Sequence, residues 1–196
     1  MPLGAFKAAL MGTAGSAAGA SVVLLHDTDY SNAASAAITS GIDSTYGEYI
    51  FKFYNITPAT NETSFGFQVN ATDGADYNDS AITSTLFMTY HQEDDGAAAI
   101  SYQASYDQAQ GTAYQPLCIS IADDADAGAA GELHLFNPAS TTYVKHFYSR
   151  LQVTESSRAD DDFVAGYIND TTAIDDISFK MASGNFDGTI KMWGVK

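Results

Sequence analysis

The chain has 196 residues, 45% of them hydrophobic, which suffices for one well-buried core and a single domain. Its 24 acidic side chains outnumber 8 basic ones, and the formal net charge of -16 excludes gripping nucleic-acid phosphates or anionic lipid through a basic surface. One cysteine rules out an internal disulfide framework, and no apolar run reaches the roughly 18 residues that a membrane-crossing helix needs.

In chain order, the first segment is MPLGAFKAALMGTAGSAAGA. Lys7 ahead of small and apolar residues imitates a secretory signal, but Gly12, Gly15 and Gly19 interrupt the apolar helix that such a signal requires. Residues 1–20 therefore read as an extended arm, in which Leu3, Phe6, Leu10 and Met11 are the side chains available to pack on a neighbour. A first strand is expected at Ser21 to Leu25. From Tyr46 the pattern becomes period two, with Tyr49, Phe51 and Phe53 sharing one face and Phe65, Phe67 and Val69 sharing another. The turn-rich TPATNET between these runs predicts that they are neighbouring antiparallel strands. The segment YNDSAITSTLFMTYH contains a strand-like run and also leaves room for a short helix. Further strand candidates are AAISYQASY, LCISI, GELHLFN, TYVKHFYSRLQV, DFVAGYIN and IDDISFKMA, with Cys118 expected in the core as a small hydrophobe.

The closing run SGNFDGTIKMWGVK resumes the alternation. Ile177, Phe179 and Met181 share a face, and Ile190 and Met192 share the next. This predicts a hairpin that carries the last strand onto the inner face, with Gly188 supplying positive φ at the turn exit. About ten short strands, set apart by turn signals at intervals of roughly 8 to 15 residues, predict an all-β fold. Its expected form is an antiparallel two-sheet β-sandwich, jelly-roll-like, over residues 21–196, preceded by the arm.

Phe179 to Gly194 reads Phe-x-Met-x-Ser-Gly-Asn-Phe-x-Gly-Thr-Ile-Lys-Met-x-Gly, and this stretch resembles the C-termini of structural proteins of tailed bacteriophages, especially marine phages and cyanophages. LGAFKAALMGTAG near the start and GELHLFNPASTTYVKHFYSR in the centre are similar to members of the same group. The resemblance implies a virion protein on the outer surface of the particle, either capsid decoration or a tail-fibre or tail-tip component. It implies self-association and contact with major capsid or tail proteins. It brings no catalytic residues.

The residues themselves agree with a non-enzymatic expectation. No G-x-S-x-G elbow, P-loop or dinucleotide fingerprint occurs. His26, His91, His134 and His146 lack close metal-ligand spacing, although His134 and His146 fall on adjacent candidate strands. The acidic segments DDADAG (Asp123 to Gly128), DGADYND (Asp73 to Asp79) and RADDDF (Asp160 to Asp162) offer oxygens that calcium accepts. They lack EF-hand spacing and read as solvated loops, so no cofactor and no metal residue is assigned. Twelve Tyr and eleven Phe exceed what one core requires, which leaves rings to form subunit contacts or to stack on sugars. The alternative expectation is thus a carbohydrate-binding, lectin-like sandwich that recognises a host-surface glycan. Neither reading includes nucleic acid or membrane insertion.

Overall fold

The computed structural model describes residues 21–71 and 76–196, which hold thirteen strands and no helix. In chain order the first seven strands are β1 (Val22–Ala33), β2 (Ala36–Ile38), β3 (Glu48–Pro58), β4 (Thr63–Ala71), β5 (Ile82–Gln92), β6 (Ala98–Tyr102) and β7 (Ala109–Gly111). The remaining six are β8 (Gln115–Ile121), β9 (Ala129–Phe136), β10 (Lys145–Glu155), β11 (Arg158–Ile168), β12 (Ile174–Met181) and β13 (Phe186–Val195).

Nine strands form one antiparallel sheet in the order β1-β13-β3-β9-β10-β11-β5-β6, with β7 also pairing with β5. The other four form a second antiparallel sheet, β2-β12-β4-β8. The alternation in β3 and β13 turns Tyr49, Phe51, Phe53, Ile190 and Met192 inward, and all five are buried. They meet Phe65, Phe67, Ile177 and Phe179 of the small sheet. Ring pairs bridge the layers edge-on, Phe53 with Phe65 at 5.3 Å, Phe53 with Phe179 at 5.2 Å and Phe67 with Phe147 at 5.0 Å. The expected two-sheet sandwich is therefore the fold. A nine-plus-four strand order does not itself establish the eight-stranded jelly roll.

Three sequence expectations are corrected. First, β3 and β4 are not paired neighbours. β3 lies between β13 and β9, while β4 lies between β12 and β8. Period-two patterning fixes the inward face of a strand and leaves its partner open. A hairpin would set Phe53 and Phe65 side by side on one sheet, whereas crossing between sheets lets their rings face each other. β4 is buried on both faces, because Gln68 on its outer side donates to the carbonyls of Ser80 (3.1 Å), Thr112 (2.9 Å) and Ala113 (3.3 Å) in overlying loops.

Second, the closing strands are not a hairpin either, since β12 belongs to the small sheet and β13 to the large one. Gly188 does take positive φ, at 145°, but it does so within β13, where the register with β3 shifts between Asp187 and Thr189. A Cβ there would sit 2.7 Å from Ile56 Cδ1 and 2.9 Å from the Asn55 carbonyl oxygen, so the bulge requires glycine. Third, the segment with room for a helix is β5, whose Ile82, Ser84, Leu86 and Met88 are buried in alternation.

Candidate functional site

The small sheet lies against the inner face of the large one, and among the described residues no further layer covers the outer face of the large sheet. Along β10, Tyr148, Arg150 and Gln152 point outward between buried Phe147, Ser149, Leu151 and Val153. On the flanking strands the outward positions opposite Gln152 are small or short: Ala130 on β9 and Asp161 on β11, followed by Ala159. Larger side chains stand to either side, Lys52 and Tyr54 on β3 and Thr89 and His91 on β5. The size difference produces an open groove of about 670 Å³ across five strands. A second recess of about 290 Å³ adjoins it, lined by Phe87, Tyr148, Phe163 and Ala165 and sharing Glu132 and Arg150 with the groove.

Charged groups on this face are held in place by one another. Arg150 Nε and Nη2 donate to both oxygens of Asp161, at 2.6 to 3.1 Å, and the guanidinium carbon lies 5.0 Å from the Phe163 ring centre. Lys52 Nζ is 3.5 Å from Glu132 Oε2, and Lys191 Nζ is 3.0 Å from Asp27 Oδ2. Burial pulls the Glu132 carboxyl upward, but the nearby His134 ring and the Lys52 ammonium outweigh it and leave Glu132 below its ordinary value. His134 is fixed by Glu48, 2.6 Å from Nδ1, and its ring stacks on Tyr148 with centroids 4.5 Å apart. Its Nε2 is 3.3 Å from Glu132 Oε1 but outside hydrogen-bond alignment. Phe87 and Phe163 stack 4.9 Å apart and nearly parallel. Tyr54 keeps 41% of its surface exposed at the groove wall. The face thus offers exposed rings beside planar polar groups whose directions are set, an arrangement suited to binding. Glu132 and Asp161 each lie beside a cation, Lys52 and Arg150 respectively.

RADDDF is not a loop. It opens β11, and its alternation buries Asp160 and Asp162 on the inner face while Asp161 faces the groove. Arg158 forks onto Asp160 through Nε (2.6 Å) and Nη2 (2.8 Å) and also pairs with Glu155. Asp162 forms no ion pair among the described residues, although the charge of Arg158 opposes part of the rise in its pKa. Its Oδ2 accepts from the Ile119 N–H at 2.9 Å, its Oδ1 is unpartnered, and burial raises its pKa to about 7, with Asp160 and Asp161 adding to the rise. Ile119 belongs to β8, the edge of the small sheet, so this carboxyl fastens one layer to the other. The period-two spacing of Asp160 and Asp162 was the available signal, masked by the usual preference of carboxylates for solvent. Lys145 is likewise buried, donating through Nζ to the carbonyls of Asp170 (2.8 Å) and Thr172 (2.5 Å).

Of the other candidates from sequence, Leu3, Phe6, Leu10 and Met11 lie outside the described residues, as does Asp73. Asp124 and Asp126 sit in an exposed turn closed by the Ala127 N–H to the Asp124 carbonyl at 3.0 Å. His146 shares the outer face with His134, diagonal to it through the Tyr148 pairing, and contacts Tyr167. Among the described residues no group of three or more His, Cys, Asp or Glu is placed to hold a metal ion. Cys118 is fully buried, and burial pushes its thiol well above the ordinary value, which matches the core role expected of it.

No protein-family model matches the chain, and no curated protein matches it.

Proposed function

We propose that this chain is a structural protein of a tailed-phage particle, working by contact and not by catalysis, and present in multiple copies as capsid decoration or as a tail component. The observation that carries the reading is a rigid sandwich with a broad open face on its larger sheet, rich in exposed rings and internally paired charges. The likeness of Phe179 to Gly194 to phage structural proteins adds support, and it falls on β12 and β13. Major capsid or tail proteins are the partners this reading assigns, with the particle surface as location. Residues 1–20 are its attachment element, because they lead directly into the edge strand β1. Deleting residues 1–20 is expected to leave the melting profile of the sandwich unchanged while abolishing incorporation into particles in a complementation assay. Normal incorporation of that truncation would overturn the attachment role.

The groove favours a second reading, recognition of a glycan. Its volume lies within the range of small-molecule sites. Tyr54 offers a ring face, Gln152 and the Arg150–Asp161 fork offer fixed donors and acceptors, and the acidic surface selects neutral over anionic sugars. On this reading Tyr54→Ala weakens binding of a neutral oligosaccharide by about tenfold, the scale of a lost ring contact. Titration calorimetry checks it, and equal affinity of the variant and the parent would remove the groove from consideration.

A further inference from the structure

The outer end of the large sheet is β6, Ala98 to Tyr102, and no described strand lies beyond it. The Gln103 N–H donates to the Leu86 carbonyl and the Gln92 N–H donates to the Ala97 carbonyl. Together with the pairing of Phe87 with Tyr102 and of Thr89 with Ile100, these bonds fix the phase of the ladder. Residues 97, 99, 101 and 103 face β5, so Ala98, Ile100 and Tyr102 turn their backbone N–H and C=O groups to the free edge.

We infer that β6 pairs with β6 of a second copy of this chain, antiparallel and centred on Ile100, extending the large sheet across a twofold axis. Three observations select a second copy. The edge is apolar and open, with Ile100 77% and Tyr102 54% exposed. It carries no charge along AAISY in a chain of net charge -16, whereas the opposite edge strand β1 bears Asp27 and Asp29. Copies that repel each other elsewhere can therefore approach here. The register is also self-complementary: Ile100 opposes itself as a hydrogen-bonded pair, and the bulky Tyr102 of each copy opposes the small Ala98 of the other. Tyr102 pairs across the ladder with Phe87, which stacks on Phe163, so the ring row would run on through the axis.

Glu93, Asp94 and Asp95 in the β5–β6 turn, and Asp107, which accepts from the Tyr102 hydroxyl, flank the edge. Their mutual repulsion makes the pairing weak at low ionic strength and stronger as salt screens it. A five-residue edge gives a small interface, so association depends on concentration. This goes beyond the particle reading: pairing in solution can fail while particle incorporation holds, and the reverse.

The test uses the full-length purified chain. Sedimentation is expected to show a monomer–dimer equilibrium that shifts toward dimer with added salt. Ile100→Pro removes the central outward N–H and leaves the bonds to β5 intact, so it is expected to give monomer with an unchanged melting profile. Ile100→Cys is expected to form a disulfide-linked dimer on mild oxidation, since a hydrogen-bonded antiparallel pair sets the two Cα atoms about 5.5 Å apart. Ala98→Cys, which the twofold register carries away from its own mate, is expected not to. A monomeric parent chain at its highest soluble concentration, a dimer that persists in Ile100→Pro, or equal cross-linking of the two cysteine variants would each overturn the inference.

Discussion

Removing the final eight residues, Thr189 to Lys196, leaves a chain that does not fold. β13 is an interior strand of the large sheet, between β1 and β3, and it carries the fully buried Ile190 and Met192. Large-to-small truncation at two such positions costs about 4 to 10 kcal/mol together, against a total stability of roughly 5 to 15 kcal/mol for a domain. The backbone losses come on top of this. Among the described residues β1 has no ladder other than the one with β13, and β3 would lose the partner on one of its two sides. Gly194 packs directly under Tyr46, where a Cβ would lie 2.4 Å from Cδ2, so that ring also loses its support. Soluble yield and far-ultraviolet circular dichroism check the result. A truncated chain with a cooperative melt at the parent temperature would show that the sheet closes without this strand.

The second large effect is a gain. Asp162→Asn stabilises the protein at neutral pH, by up to a few kcal/mol, because it removes a carboxyl whose ionised form is buried without an ion-pair partner among the described residues. The asparagine oxygen still accepts from the Ile119 N–H. The folded pKa of about 7 lies above the ordinary 3.8, so the folded state binds the proton more tightly than the unfolded chain. The stability that this proton confers is complete below pH 3.8 and is lost as the pH rises through about 7. The variant has no such group, and its advantage over the parent therefore widens across that window and is constant above it. Urea unfolding of both proteins at the acid end of the window and above it measures the difference. An advantage of the same size at both values, or a variant less stable above the window, would contradict the assignment.

The inward faces of β3, β4, β12 and β13 were legible in the sequence, because alternation at Tyr49, Phe51 and Phe53 or at Ile177, Phe179 and Met181 reports burial directly. Strand partners were not legible. Neither TPATNET nor ASGNFDG records that the chain changes layer, since turn residues specify local backbone and not the sheet that receives the next strand. The groove escaped for a related reason. It arises where Ala130 and Ala159 on separate strands leave a gap between the larger Tyr54 and His91, and only the register of β3, β9, β10, β11 and β5 brings these positions together. Asp160 and Asp162 were misread because their composition resembled a solvated loop, while their spacing was that of a strand.

The pairing of β1 with β13 joins segments from opposite ends of the described chain. A ribosome therefore delivers β1 long before its mate exists, and the large sheet completes only once β13 has been made. Topologies of this kind fold slowly and leave apolar edges open meanwhile, so chaperone demand is expected to be high for this protein during synthesis.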